Sequence, residues 1–327
     1  MKKVSNLFQQ SAKFLGMLMI AASFTFVACN DDDDVTPVDE TIIGVASSNP
    51  NFSTLVAAIQ QAGLVETLQG AGPFTVFAPT NAAFEAYLEA NGLTAAELLA
   101  ADNLGDILTY HVLSGNVGSS ALTNGGEATT VEGSTIYFSL GADNRFSING
   151  VAPISATDIA ASNGTIHVID YVITPATQNI VEIAAGNDAF TELVAAVTRV
   201  TNETETDVIS LLSGEGAFTV FAPTNAAFEA LYTALGVNGI DDIDIETLAT
   251  VLTYHVVDAR AFSTDLRDGS EITPLQGEPI AVDLGALTVG NASLNADLLN
   301  ILATNGVVHV VNDVMLPPSV IAALSGE

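Results

Sequence analysis

The stretch FTVFAPTNAAFEA occurs twice in this chain, at residues 74–86 and again at residues 218–230. The two copies are identical over thirteen residues and lie 144 positions apart. Two further blocks repeat in the same order: LTYHV at 108–112 and 252–256, and NGTIHVID at 163–170, which returns as NGVVHVVN at 305–312. Such long repeats with nearly constant spacing indicate two copies of a whole domain, because the units of a solenoid are much shorter.

The first block predicts a short strand followed by a helix. Phe74–Phe77 alternates residues that favour β-structure, and Pro79 ends the strand because its ring fixes φ and removes a donor. Thr80 is a good N-cap for a helix that directs Phe84 into the core. Farther along, the spacing of Thr94 and Glu97 predicts a capping box.

Helical patterns come early in each copy and strand patterns come late. Residues 51–61 and 189–200 predict amphipathic helices, whereas residues 134–140, 145–148 and 165–173 predict strands separated by Gly and Asn turns. We expect the Asn-Gly pairs at 163–164 and 305–306 to supply positive φ for a tight turn into the last strand. The order of elements predicts an α+β domain with a largely antiparallel sheet system.

The repeated blocks resemble the motifs of the fasciclin-like domain family. The matching segments are Thr75–Phe84, Tyr110-His111 and Asn163–Asp170 in the first copy, and Thr219–Phe228, Tyr254-His255 and Asn305–Asn312 in the second. The resemblance implies two tandem domains, each a wedge-shaped β-sandwich of about seven strands with packed helices. It also implies adhesion or ligand binding at cell surfaces and matrices.

The repeats and the N-terminal pattern divide the chain into five predicted parts. They are a signal peptide at 1–29, an acidic flexible tether at 30–40, a first fasciclin-like domain at 41–176, a second at 177–318, and a tail at 319–327. The link at 175–179 is short, which favours a fixed angle between the domains.

The N-terminus predicts export and lipid attachment. A basic start precedes an apolar run at 14–27, which is shorter than the roughly twenty residues of a membrane span. Cys29, the only cysteine, follows a small residue as in a bacterial lipobox, which implies a thiol carrying fatty acids such as palmitate. Asp31–Asp34 resembles the surface-export signal of Bacteroidetes lipoproteins. We therefore expect a lipoprotein of the outer membrane that faces the exterior.

Charge excludes some partners. The formal net charge is -31, and after Asn30 the only basic residues are four arginines. So acidic a chain repels phosphate backbones, which argues against nucleic acid, and it repels anionic membranes unless a lipid holds it there. The acidity indicates solubility or a cation-dependent adhesive surface. The run at 241–246 lacks the glycine of a calcium loop and fits a helix N-terminus better, so calcium stays an open partner.

The four histidines, two in each copy, are His111, His167, His255 and His309. A repeated pair could bind a metal, but no Cys or carboxylate lies at a ligand spacing from them. We therefore expect core histidines that donate one ring N–H to a backbone carbonyl, and we expect no metal or cofactor.

The fasciclin resemblance also implies candidate contact residues. In animal relatives the Tyr-His neighbourhood is proposed to contact integrins, which points to Tyr110, His111, Tyr254 and His255, with support of the core as the alternative. A second proposed contact of the family is an Asp-Ile pair before the last motif. Asp158-Ile159 matches this pair in the first copy, and Asp297-Leu298 departs from it in the second.

Three classes of function remain open. Adhesion to a surface protein or an extracellular polymer is the leading hypothesis, because the duplicated domain follows an anchor signal. Capture of a ligand or glycan is the alternative, although aromatic residues for sugar stacking make up only 6% of the chain. A carboxylate-based hydrolase is the third. The sequence contains no GxSxG, GxxxxGK[ST] or HExxH motif, so we expect no enzyme.

Overall fold

The computed structural model describes residues 40–325. The predicted signal peptide, Cys29, the tether up to residue 39 and the last two residues lie outside the described part. Both repeats belong to one compact unit. No single described helix is long and apolar enough to cross a membrane, although one pair of helices bent by 108°, Ile42–Ser48 with Pro50–Gln61, meets the length and composition criteria together.

The first domain opens with three helices, then places a strand and three more helices before most of its sheet. Its helices are α1 Ile42–Ser48, α2 Ser53–Gln61, α3 Val65–Gln69, α4 Asn81–Asn91, α5 Ala95–Leu99 and α6 Leu104–Tyr110. Its strands are β1 Phe74–Pro79, β2 Val112–Ser114, β3 Gly126–Thr129, β4 Thr135–Leu140, β5 Phe146–Ile148, β6 Ala152–Ala161 and β7 Gly164–Ile169.

These seven strands form one sheet in the order β2-β1-β7-β6-β5-β4-β3. Strands β1 and β7 pair in parallel and the other neighbours are antiparallel. Because side chains alternate along a strand, Val76 and Ala78 face the helices while Phe77 faces a second core on the other face of β1. Strand β6 carries register shifts between residues 154 and 159, where bulges bend a strand.

The second domain repeats this plan. Its helices are α7 Ile180–Ala185, α8 Thr191–Glu203, α9 Val208–Ser213, α10 Asn225–Leu235, α11 Ile245–Tyr254 and the C-terminal α12 Pro318–Ser325. Its strands are β8 Phe218–Pro223, β9 Val256–Val257, β10 Glu271–Ile272, β11 Ile280–Asp283, β12 Thr288–Val289, β13 Ala292–Ser293, β14 Ile301–Ala303 and β15 Gly306–Val311. They form two four-stranded sheets, β14-β15-β8-β9 and β10-β11-β12-β13. The predicted α+β fold with about seven strands per domain is confirmed.

Short 3-10 turns connect several of these elements. They span Pro50–Phe52, Ser119–Ala121, Asp188–Phe190, Ile240–Asp242 and Ala296–Leu298.

The predicted helix caps are present. The Thr80 hydroxyl accepts a hydrogen bond from the Ala83 amide at 3.2 Å, and Thr94 forms the capping box with Glu97. Asp244 caps α11, which confirms that the acidic run at 241–246 leads into a helix N-terminus.

The Asn-Gly pairs have a different role from the predicted one. Gly164 and Gly306 each begin the strand that follows the turn. A Cβ at either position would lie 2.0 or 2.2 Å from the carbonyl oxygen of Phe74 or Phe218 on the neighbouring parallel strand. The predicted reason, a positive φ, is wrong for Gly306. Close approach of two backbones is the reason that both glycines share.

Candidate functional site

Tyr110 and His111 end helix α6 and lie in the core, 0% and 1% exposed. The Tyr110 hydroxyl donates to the Thr135 carbonyl at 3.1 Å and accepts from the Asn149 amide at 3.0 Å. The backbone amide of Ile173 donates to His111 Nε2, so the ring proton is on Nδ1, which donates to the Ile107 carbonyl at 2.7 Å. Burial lowers the pKa of His111 to about 4, which keeps the ring neutral.

The second domain repeats this arrangement. Tyr254 donates to the Pro279 carbonyl at 3.1 Å, and His255 donates to the Val251 carbonyl at 2.7 Å and accepts from the Met315 amide at 2.9 Å. Both side chains are 2% exposed, and burial lowers the pKa of His255 to about 4. The expected partner contact at the Tyr-His pairs is therefore corrected, because no partner reaches buried side chains. They support the core.

His167 and His309 lie in the middle of strands β7 and β15 and are fully buried. Their Nε2 atoms face the carbonyls of Val117 and Ala261 at 2.8 and 2.9 Å. Each ring also stacks on the phenylalanine of the adjacent strand, with centroids 5.5 and 5.6 Å apart. Residues 40–325 contain no cluster of three or more His, Cys, Asp or Glu suited to a metal ion.

Asp158 lies on the surface at the bulge of β6, with φ at +59°. Its backbone amide donates to His167 Nδ1 at 3.3 Å. Its carboxylate accepts from the Ser119 amide at 2.8 Å and from the Ser119 hydroxyl, and these bonds lower the carboxyl pKa. Ile159, the other half of the pair, turns inward and packs against the helix-side core. Only Asp158 of the predicted pair presents its polar group to solvent.

The structure assigns a different counterpart in the second domain. Asn300 has φ at +60°, and its amide donates to His309 Nδ1 at 3.2 Å, as Asp158 does to His167. The true counterpart of Asp158-Ile159 is therefore Asn300-Ile301. Asp297-Leu298, the pair assigned from sequence, lies in an exposed 3-10 turn instead. Counting nine residues back from each strand histidine would have found the correct pair.

Asn300 binds the first domain. Its Nδ2 donates to the Gly150 carbonyl at 3.0 Å, while its Oδ1 accepts from the Ser263 amide at 2.7 Å. Gly150 has φ at +69°, and a Cβ there would lie 2.6 Å from Cβ of Phe262. Glycine is thus required at this turn both by its backbone conformation and by the neighbouring domain.

Further contacts extend this joint between the domains. The Arg260 guanidinium lies 4.0 Å from the centroid of the Tyr137 ring, and the Phe262 ring lies 6.1 Å from the same ring. Thr264 and Ser139 share a hydroxyl hydrogen bond, and Arg267 donates to the Leu140 carbonyl at 2.8 Å. We name the second domain's side of the joint the Asn300 surface: Arg260, Phe262, Ser263, Thr264, Arg267 and Asn300.

The same positions of the first domain form an exposed or half-exposed surface of small polar residues. We name it the Asp158 surface: Asn116, Gly118, Ser119, Ser120, Thr123 and Asp158. The Asp158 surface lacks two residues that hold the joint, because Asn116 occupies the position of Arg260 and Gly118 the position of Phe262. A carboxylate only accepts hydrogen bonds, whereas the Asn300 amide donates to a carbonyl. The Asp158 surface is therefore suited to hydrogen-bond donors and positive charge.

The comparisons with known proteins identify both copies. A model of the Fasciclin domain matches residues 50–175 and 188–317. The chain is 49% identical to protein sll1483 of Synechocystis over 138 residues, which cover 41% of this chain and 73% of that protein. It is 35% identical over 145 residues to the cell surface glycolipoprotein MPB83 of Mycobacterium bovis, covering 42% of this chain and 62% of that one.

Two longer matches span both copies. The transforming growth factor-beta-induced protein ig-h3 of Sus scrofa is 29% identical over 289 residues, 88% of this chain but only 39% of that protein. A solved FAS1 domain pair from the insect cell adhesion molecule fasciclin I covers 83% of this chain and 99% of its own, with 16% identity and a TM-score of 0.38. Because the Fasciclin domain model matches most of the chain in two places, the chain belongs to the Fasciclin domain family and carries two copies of the domain.

Proposed function

We propose that this protein is an adhesion or matrix-binding protein of the cell surface, that it acts through its paired domains without catalysis, and that the Asp158 surface contacts its partner. The observation that carries the proposal is the difference between two equivalent surfaces. The Asn300 surface binds the neighbouring domain through a donated hydrogen bond to Gly150. The Asp158 surface has the same backbone geometry but offers an acceptor to solvent.

The chemistry of the surface narrows the class of partner. The Asp158 carboxylate stays ionised because the bonds from Ser119 lower its pKa. An ionised carboxylate has about four acceptor positions, so those that Ser119 leaves free accept bonds from a partner. The net charge of -31 favours basic partners over the whole molecule. The partner is a surface protein or an extracellular polymer with amine, guanidinium or amide donors.

Binding of the mature protein tests this proposal. We expect Asp158→Asn, which gives the first domain the residue of the second, to weaken retention on amine-bearing polymer beads and on cells lacking the gene by about tenfold or more. A charge-assisted hydrogen bond is worth about 1.5–3 kcal/mol, which corresponds to that loss. Glu205→Gln, which removes an exposed charge from the second domain, is the matched control.

The proposal does not survive if Asp158→Asn binds as well as Glu205→Gln. Equal losses in both variants would show that net charge alone drives binding. Repeating the assay with calcium and with a chelator tests the cation-dependent alternative.

We also propose that fatty acids on Cys29 hold the protein on the exterior of the outer membrane. The signal pattern and the only cysteine support this, and the glycolipoprotein MPB83 is a relative that carries lipid by name. Mass spectrometry of the N-terminal peptide checks it. We expect a diacylated Cys29 in the membrane fraction, and an unmodified thiol would refute the anchor.

A further inference from the structure

The helical layer of the second domain contains a cavity of about 80 Å³. It lies between helices α7, α8 and α9, with strands β8 and β15 beneath it. Its walls are almost entirely hydrocarbon and include Val181, Phe190, Leu193, Val197, Ile209 and Leu212. The cavity belongs to the fold of one domain and is separate from the Asp158 and Asn300 surfaces.

No side chain in the walls is free to bind a polar ligand. Both ring nitrogens of His255 have backbone partners, the Val251 carbonyl and the Met315 amide. The Thr198 hydroxyl donates to the Val194 carbonyl at 2.7 Å. A buried water needs two to four polar partners, which these walls do not offer. A hydrocarbon group is favoured instead, because it buries apolar surface against the walls.

The first domain serves as an internal comparison, because larger side chains stand at two of the equivalent positions. Ile43 and Ile59 stand where the second domain has Val181 and Val197, so each valine leaves out one methylene. Ile43 and Ile59 are 6% and 3% exposed, whereas Val181 and Val197 are only half-buried.

The chain between the lining helices is also longer in the second domain. The equivalent hydrogen bonds of Asn163 and Asn305 show which residues correspond in the two domains. Ile42 corresponds to Ile180, 138 positions later, and Leu68 corresponds to Leu212, 144 positions later. Six extra residues therefore lie between α7 and the end of α9. Helix α8 takes up some of them, with thirteen residues against nine in α2. None of residues 199–207 lines the cavity, so the two smaller side chains are the difference that opens space at this place.

The nearby charges and the volume of the cavity limit the class of ligand that fits it. Glu182 and Asp207, each next in sequence to a lining residue, are exposed carboxylates. Arg199 is committed to Glu203 and to the carbonyls of Ile240 and Ile243. An anionic head group is therefore disfavoured. The volume is about half of the roughly 150 Å³ that holds benzene, so the space fits the end of an alkyl chain better than a ring.

We propose that the second domain binds the end of an uncharged alkyl chain in this cavity, and that the first domain does not. The proposal is independent of partner binding at the Asp158 surface. The protein thus has two separate binding sites, one for donors and positive charge and one for neutral hydrocarbon.

Methyl NMR of the mature protein titrated with 1-octanol and with octanoate tests the proposal. We expect saturable shifts of the Val181, Val197 and Leu212 methyls with 1-octanol, and binding of octanoate at least tenfold weaker. Val181→Ile with Val197→Ile, which installs the residues of the first domain, should weaken 1-octanol binding at least tenfold. This variant should fold, since filling a cavity does not lower the melting temperature when the larger side chain fits.

The reciprocal variant, Ile43→Val with Ile59→Val, controls for nonspecific partitioning and should leave the affinity of the second domain unchanged. Three results would overturn the proposal. They are the absence of saturable shifts, equal affinity in the filled variant, and shifts of similar size around Leu55 of the first domain.

Discussion

At the scale of single residues, the histidines show how burial decides chemistry. Burial lowers the pKa of His111, His255 and His309 to about 4, and each ring has backbone partners that suit the neutral form. The sequence predicted core histidines because no ligand spacing surrounds them, and the structure confirms this. The sequence could not show that Tyr110 and Tyr254 are equally buried, because the resemblance to a family does not tell which side chains are exposed.

These pKa values predict loss of stability in mild acid. The unfolded chain binds protons at histidine below about pH 6.5, whereas the folded chain resists them until about pH 4. The contribution of the neutral histidines to the free energy of unfolding is thus complete above pH 6.5. It decreases as the pH drops toward 4, by at most about 3 kcal/mol for each histidine.

Urea unfolding at a series of pH values between 7.5 and 5 measures this effect. Most carboxylates titrate below that window, so histidine dominates it. We expect the free energy of unfolding to decrease as the pH is lowered, and to decrease less steeply in His255→Gln than in the unaltered chain. A free energy that stays constant across the window would contradict the assignment of neutral buried rings.

At the scale of elements, the repeated blocks mark the places where one side chain holds several elements together. Thr75 accepts from the Val117 amide and donates to the Gly115 carbonyl, which ties β1 to the loop after β2. Asn81 accepts from the Thr54 amide and so joins α4 to α2. Residues with several partners tolerate little change, which explains why the blocks are nearly identical while the surrounding sequence differs.

The asparagine of the last motif shows the same principle most clearly. Asn305 donates to the carbonyls of Leu212 and Gly214, both at 2.8 Å, and accepts from the Ile180 amide at 3.1 Å. It joins α7, the end of α9 and the start of β15. Asn163 makes the equivalent three bonds in the first domain.

Asn305→Ala should therefore lower the free energy of unfolding by about 2–4 kcal/mol, because it leaves three backbone groups without this partner, and two of the three bonds are buried. Chemical denaturation followed by circular dichroism measures the change. Asn202→Ala, at an exposed position of α8, should cost less than 1 kcal/mol. A similar small cost at Asn305 would show that these bonds do not hold the elements together.

Some features of the elements could not be predicted from the sequence. The Asp297-Leu298 assignment followed the letters of the motif, whereas the backbone places Asn300 in that position because the loops of the two copies differ in length. The cavity depends on how Val181 and Val197 pack between the helices, which is visible only in three dimensions. Turn glycines were predicted from φ, but a neighbouring strand requires them.

At the scale of the whole molecule, two equivalent surfaces of the duplicated domain carry different residues and have different surroundings. The Asn300 surface is occupied by the first domain, through Gly150, Tyr137, Ser139 and Leu140. The short link at 175–179 predicted a fixed angle, but the contacts that hold the joint come from residues more than a hundred positions apart. The Asp158 surface has Asn116 and Gly118 in place of Arg260 and Phe262, so it cannot make the ring contacts of the joint. The proposed partner site of the first domain rests on this difference.

Cross-linking of the joint tests this arrangement most directly. Ser139 and Thr264 share a hydroxyl hydrogen bond across it, so Ser139→Cys with Thr264→Cys, in a Cys29→Ala background, places two thiols within reach of a disulfide. Mild oxidation followed by mass spectrometry should show an intramolecular disulfide in nearly all molecules, while each single-cysteine variant keeps its thiol or dimerises. Free thiols in the double variant, at a protein concentration where the single variants stay monomeric, would contradict a joint formed by the Asn300 surface.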